Sequence, residues 1–228
     1  MFQLQMSVNQ TSMIHDLIII SAGKHGREVY GWASQAITAG APWRIKGFLD
    51  NRSDLLNGLN YPVGIISSVE EYRPQKDDRF VCAIGDLCVR RRYAEKVLAM
   101  GGQFVTLVHP TAVIGFNVTL GMGTIIGPLA LIGADASIGS FVGVGPHTVC
   151  SHDNRIGDDC QFSGFCCIGG NVTVEEMCFF GMGTMVVPGV RIRKQAYVGA
   201  GSVVLKNVRA GVKVFGNPAV EIGTVEIK

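Results

Sequence analysis

"IGFNVTLGMGTIIGPLALIGADASIGSFVGV", residues 114–144, carries an apolar side chain at every sixth position and a single charged residue, Asp135. The register runs on without an insertion: Ile114, Leu120, Ile126, Ile132, Ile138, Val144, Cys150, Ile156, Phe162, Ile168, Val174, Phe180, Val186, Ile192, Val198 and Val204 are all apolar. Two residues before these positions a small side chain recurs, as at Ala112, Thr124, Ala130 and Ala136, and glycine often follows them. An α-helix cannot keep a six-residue apolar register, whereas short strands joined by glycine-permissive turns can, stacked coil on coil. The spacing therefore predicts a parallel β-helix in which each coil buries its neighbour's apolar face. Cys160, Cys166 and Cys178 share the phase of the small residues, so they read as core fillers rather than disulfide partners or ligands.

Upstream the period changes. "DLIIISAGKHGREVYGWASQAI" (16–37) is a β-branched run, a glycine turn and then Val29, Ala33, Ala36 and Ile37 at helical spacing. "RIKGFLDN" (44–51) and "RFVCAIGD" (79–86) read as two further strands, the last followed by the basic helical stretch "LCVRRRYAEKVLAMG" (87–101). Alternation of strand and helix implies a Rossmann-like parallel sheet whose ligands sit at the carboxyl ends of the strands, which directs attention to residues 21–26, 50–52 and 85–88. The expected division is a flexible N-terminus over 1–15, an α/β domain over 16–105 and the solenoid over 106–228.

The formal net charge of +2 and aromatic content of 8% give no reason to expect nucleic acid or an anionic membrane as partner. From Val97 to Ala134 there is no Asp, Glu, Lys or Arg, but glycines, Asn117 and threonines interrupt the stretch too often for a membrane span. Seven cysteines follow an opening "MFQLQMSVNQTSMIHD" that has neither the basic start nor the apolar core of a secretion signal, so a reducing cytoplasm is expected.

Within the charge-poor repeat, "HTVCSHDNRIGDD" (147–159) concentrates two histidines and three aspartates. Together with "SAGKHGREV", "GFLDN", "AIGD", "HPTAVIG", "GGNV", "VGAGSVV" and "VFGNPA" in that order, it resembles the bacterial sugar acetyltransferases with hexapeptide repeats, both the sialic acid O-acetyltransferases and the nucleotide-linked 4-amino-sugar N-acetyltransferases. The resemblance implies a left-handed, triangular β-helix with three hexads per coil, about five coils, and a homotrimer with acetyl-CoA in the groove between neighbouring subunits.

It also implies site residues. The histidine of the "HD" pair, His152, corresponds to the general base; imidazole's pKa near 6.5 suits removal of a proton from an attacking amine or hydroxyl. Asp153 would orient the ring and stabilise the imidazolium, and the Gly170 amide would meet the thioester oxygen as charge develops on it. Relatives commonly carry a second histidine near the acetyl group, nine residues after the base, where this chain has Gln161, which can still donate a hydrogen bond to acetyl-CoA. Gly181, Met182, Gly199 and Ala200 correspond to the pantetheine groove. Lys206, one of several basic residues between Glu176 and Glu221, suits the phosphates of coenzyme A. In the first domain Gly23, Lys24, His25 and Gly26, with Asp50, Asn51, Gly85 and Asp86, are the expected nucleotide-sugar contacts; Ser21 and Lys24 stand where relatives have glycine. The G-x-G-x-x-G spacing of redox dinucleotide folds is absent.

The expectation is an acetyl-CoA-dependent N-acetyltransferase of a nucleotide-linked 4-amino-sugar in surface-glycan biosynthesis, without a metal. O-acetylation of sialic acid or another sugar is the alternative, and Asp158 and Asp159 are read as a solvated turn. A γ-type carbonic anhydrase uses the same solenoid, and His147 and His152 have its five-residue offset, but one or two coils before His147 stand Leu129 and Thr111 rather than a third ligand. A solenoid that only binds a nucleotide or partner is the non-catalytic alternative.

Overall fold

The computed structural model describes residues 14–225. The expected flexible N-terminus therefore lies almost wholly outside the described residues. His15 does not belong to it, since this residue opens the first strand and donates its backbone N–H to Pro42 O at 2.9 Å.

The N-terminal unit runs β1 (His15–Ile20), α1 (Lys24–Thr38), β2 (Trp43–Leu49), β3 (Ile65–Ser67), β4 (Asp78–Cys82) and α2 (Leu87–Ala99). Its four parallel strands lie in the order β3-β2-β1-β4. Leu17, Ile18 and Ile19 are fully buried because both faces of β1 are covered, which is why the sequence shows a continuous apolar run there rather than alternation. The sequence reading missed β3, a three-residue edge strand too short to show a period.

Phe104 still bridges to Phe80 of the sheet, whereas Thr106 Oγ1 donates to Gly121 O at 2.8 Å and Leu107 N to Thr124 O at 2.9 Å, so the chain passes into the solenoid between them. Seventeen two-residue strands follow, from Leu107–Val108 to Val203–Val204. Each pairs in parallel with the third strand along, as Val149 with Cys167 and Gly143 with Gln161, an 18-residue coil of three hexads. The fold class is the expected one, a Rossmann-like domain and a left-handed parallel β-helix. The chain closes on an antiparallel hairpin of Val212–Phe215 and Val220–Thr224.

The residues at multiples of six point inward and are buried from Ile126 to Val204. Their outward neighbours differ from face to face. One face presents Val113, Leu131, Val149, Cys167, Met185 and Val203, an apolar row. The second presents Thr119, Ser137, Arg155, Thr173 and Arg191. The third, with Ile125, Gly143, Gln161 and Phe179, lies under the N-terminal domain. Residues at the corners adopt left-handed φ without being glycine, among them Asp135, Asp153 and Asn171 on one edge and Leu129, His147 and Phe165 on the next.

Candidate active site

His152 stands at the corner between the apolar and the polar face. Its backbone is pressed against the preceding coil, where a Cβ on Gly133 would come within 2.4 Å of His152 N. Its ring lies on the following coil, where a Cβ on Gly170 would meet Nε2 at 2.5 Å. Only glycine leaves room for the imidazole there. Asp153 Oδ2 lies 2.7 Å from His152 Nδ1, which leaves Nε2 as the nitrogen free to accept a proton. Both side chains are largely exposed, 68% and 59%, so a substrate can reach them. Among the described residues no group accepts the Gly170 N–H, although Asn171 N next to it donates to His152 O at 2.9 Å. A basic nitrogen and an unpaired amide thus stand on adjacent coils.

The first two N-terminal loops converge at the strand ends, and α2 closes the third side. A cavity of about 320 Å³ is lined by Ile20, Leu49, Val69, Ile84 and Val89 at its apolar floor and by Ser21, Asp50, Asn51, Arg52 and Tyr93 at its polar rim. Asp50, expected as a nucleotide-sugar contact, is tied to its own chain. Its Oδ2 accepts from Ala22 N at 3.0 Å and both its oxygens engage Arg52, so it holds the first loop against the second. Burial works against its charge, but these hydrogen bonds prevail and hold the carboxyl below its usual range. Ser21 takes φ +85°, consistent with the glycine of its relatives, and its Oγ accepts from Gly23 N at 3.1 Å. Gly26 is obligatory, since a Cβ there would fall 1.9 Å from Ser21 O. Asn51 is exposed at the rim and Lys24 at the start of α1, whereas Gly85 and Asp86 line a separate cavity of about 290 Å³ with Met177, Phe179 and Tyr197 of the solenoid, and Asp86 caps α2 by accepting from Val89 N at 2.9 Å.

A third cavity, about 330 Å³, lies between α1 and the solenoid, with His25 and Trp32 on one side and Pro146, Gln161, Phe165 and Met182 on the other. Burial pushes the His25 imidazole below its ordinary pKa, partly offset by Glu28 at 3.3 Å. Gly181, Met182, Gly199 and Ala200 lie on two successive coils at this edge, where a Cβ on Gly181 would meet Ala200 N at 2.5 Å. Lys206 is exposed beyond them.

One expectation needs correction. Asp159 is not part of a solvated turn: it is 4% exposed and accepts from Arg91 Nε at 2.7 Å, because α2 covers this corner. Burial raises its pKa despite that partner. Asp158, by contrast, is exposed and accepts from Ser140 N at 2.7 Å. Gln161 is held rather than loose, since buried Arg90 donates from Nη1 to its Oε1 at 2.7 Å and from Nη2 to Asp159 O and Cys160 O. Sequence reasoning missed Arg90, Arg91 and Arg52; the run of three arginines on α2 was the available signal.

His147 stands one corner before His152 and stacks on Phe165 with centroids 4.7 Å apart. Among the described residues no three His, Cys, Asp or Glu side chains converge on a point that could hold a metal. No helix among them is long and apolar enough to cross a membrane.

Residues 16–97 match the PglD N-terminal domain family. The whole fold superposes on the acetyltransferase domain of PglB from Neisseria gonorrhoeae FA1090 with a TM-score of 0.82, 25% identity, and coverage of 91% of this chain and 100% of that one. The chain is similar in sequence and fold to the bacterial hexapeptide-repeat sugar acetyltransferases. A mutant of GDP-perosamine N-acetyl transferase from Caulobacter crescentus, solved in complex with CoA and GDP-perosamine, gives a TM-score of 0.81 at 29% identity, over 92% of this chain and 98% of that one. A UDP-N-acetylbacillosamine N-acetyltransferase of Bacillus subtilis (strain 168) is 31% identical over 112 residues, 48% of this chain. That match spans only half the length of the curated relative.

Proposed function

We propose that this sugar acetyltransferase moves an acetyl group from acetyl-CoA to the amine of a nucleotide-linked 4-amino-sugar, for cytoplasmic synthesis of a surface glycan or glycoconjugate. The observation that carries the reading is the His152–Asp153 pair with its ring laid over Gly170, in a chain that also has a strand-end crevice of about 320 Å³. His152 Nε2 takes a proton from the sugar amine as the nitrogen attacks the thioester carbon. Asp153 stabilises the imidazolium, and the Gly170 N–H donates to the carbonyl oxygen as it becomes an oxyanion. Collapse of the tetrahedral intermediate breaks the C–S bond, and the imidazolium proton accompanies the departing coenzyme A thiolate. Free sialic acid would leave the crevice unused, which favours the nucleotide-linked amine.

The site is completed by a second copy of the chain. His152 lies on the edge shared by the two faces that the N-terminal domain does not cover, whereas the crevice, His25 and Met182 lie at or beside the covered face. The apolar row from Val113 to Val203 adjoins the His152 corner and is suited to packing against its counterparts around a threefold axis. Assembly then brings the base of one subunit to the crevice and pantetheine edge of the next.

The test is to incubate the protein with acetyl-CoA and UDP-, GDP- and dTDP-linked 4-amino-sugars, following free thiol and acetylated product by mass spectrometry. Thiol release matched one-to-one by N-acetyl product is expected. Thiol release without product, or no turnover with any acceptor, would overturn the assignment.

A further inference from the structure

Along the solenoid one side-chain hydrogen bond recurs, from the residue two before an inward apolar position to the carbonyl fifteen residues on. Thr124 Oγ1 donates in this way to Gly139 O at 2.7 Å, Thr148 Oγ1 to Ser163 O at 2.8 Å, and Cys160 Sγ to Glu175 O at 3.1 Å. Each of these groups has one hydrogen to give. Asn154 occupies the same row and is its only carboxamide. Its Nδ2 makes the common rung to Gly169 O at 3.0 Å, and it also reaches back to Ser151 O at 2.6 Å and His152 O at 3.4 Å. The side chain is fully buried, and its Oδ1 has no hydrogen-bond partner. A threonine would supply the rung without stranding an acceptor, so the fold alone does not call for asparagine at this position.

Thr184 Oγ1, with one hydrogen, divides it between Gly181 O at 2.8 Å and the rung to Gly199 O at 3.3 Å; the second hydrogen of asparagine lets Asn154 hold the rung and the backbone that bears His152 at once. The carbonyls it gathers belong to Ser151 and His152 on one coil and to Gly169, the residue before Gly170, on the next. We propose that Asn154 is a positioning residue for the transfer reaction, tying the His152 corner to the coil beneath so that imidazole Nε2 and the Gly170 N–H keep a fixed separation. This role rests on the acetyltransferase reading. Asn154 touches neither substrate nor the imidazole ring; it acts through the main chain of the residue that does the chemistry.

The test is Asn154→Thr in the full-length protein, which keeps the rung that Thr124 and Thr148 make and loses the second donor. Steady-state kinetics use acetyl-CoA and whichever 4-amino-sugar nucleotide of the panel above the wild type acetylates. The expected result is a fall in kcat of about tenfold or more with KM for both substrates within about twofold and an unchanged melting temperature, the mark of a misplaced reacting group. The same substitution placed on His152→Ala should lower the residual rate no further, because the group it positions is gone. An unchanged kcat in Asn154→Thr, or an equal loss in the His152→Ala background, would overturn the role and leave the acetyltransferase reading standing. A wild type that acetylates no member of the panel would overturn both.

Discussion

Arg90 Nη1, on the second helix of the N-terminal domain, donates to Gln161 Oε1 of the solenoid at 2.7 Å across 71 residues of sequence. The same guanidinium satisfies two solenoid carbonyls, and desolvation, the largest influence on it, opposes its charge. The two domains are thus latched by a buried cation whose partners all lie at one corner of the coil. Arg90→Met should destabilise the fold by about 3 kcal/mol, since it strands those acceptors. Urea denaturation monitored separately for helix and for solenoid signals should show the two transitions drawing apart.

Gly170→Ala tests the cradle under the imidazole. The new methyl would stand 2.5 Å from His152 Nε2, but the ring is exposed and free to swing aside. The protein should keep its melting temperature within about 2 °C and lose about a hundredfold in kcat, comparable with His152→Ala. Asp153→Asn should cost less than either. Ordinary turnover in His152→Ala would remove the general-base assignment.

A mixing experiment addresses the shared site. His152→Ala lacks the base, and Val89→Trp fills the crevice with an indole. Each should be inactive alone. Co-expressed in equal amounts, they should regain roughly a quarter of wild-type activity, the fraction of subunit junctions that join an intact base to an intact crevice. No recovery would mean that each chain builds its own site.

Asp50→Ala should raise KM for the nucleotide-sugar by about tenfold with little change in kcat, the pattern of lost ground-state binding. The structure assigns this loss to the loop that the carboxylate holds through Ala22 N and to the loosened Arg52, rather than to a direct sugar contact. Steady-state titration of the acceptor at saturating acetyl-CoA measures it.

Acid should destabilise the protein before carboxylates titrate. Burial holds the His25 and His109 imidazoles below the ordinary value of 6.5. Their unfolded forms therefore take up protons first, so the stability linked to them is present in full above about pH 6.5 and is lost as pH falls through the folded pKa values. Melting temperatures between pH 7.5 and 5.5 should fall, and His25→Gln should flatten the slope.

The six-residue register was legible because a solenoid is built from local, repeated contacts; each register residue from Ile126 to Val204 is an inward, buried residue in the structure. The contact between His152 and Asp153 was legible too, the two being neighbours in the chain, whereas the role of base came from the resemblance. Asp159 was not, because its burial comes from α2, with Arg91 lying 68 residues away, and nothing in "RIGDD" announces a helix overhead. Asp50 was placed correctly at a strand end, but its partners Ala22 and Arg52 come from two loops whose approach only the folded sheet decides. Asn154 gave no signal beyond a polar residue in a row that elsewhere holds small or β-branched side chains.

The separation of His152 from the crevice of its own chain has a consequence for the living cell. With the site shared between subunits as proposed, a newly made polypeptide, fully folded, would hold a base with nothing to deprotonate and a substrate with nothing to activate it. Activity would then rise more steeply than abundance, and a scarcely expressed enzyme would stay silent until enough copies met, so that the gene's output would be read as a threshold rather than in proportion.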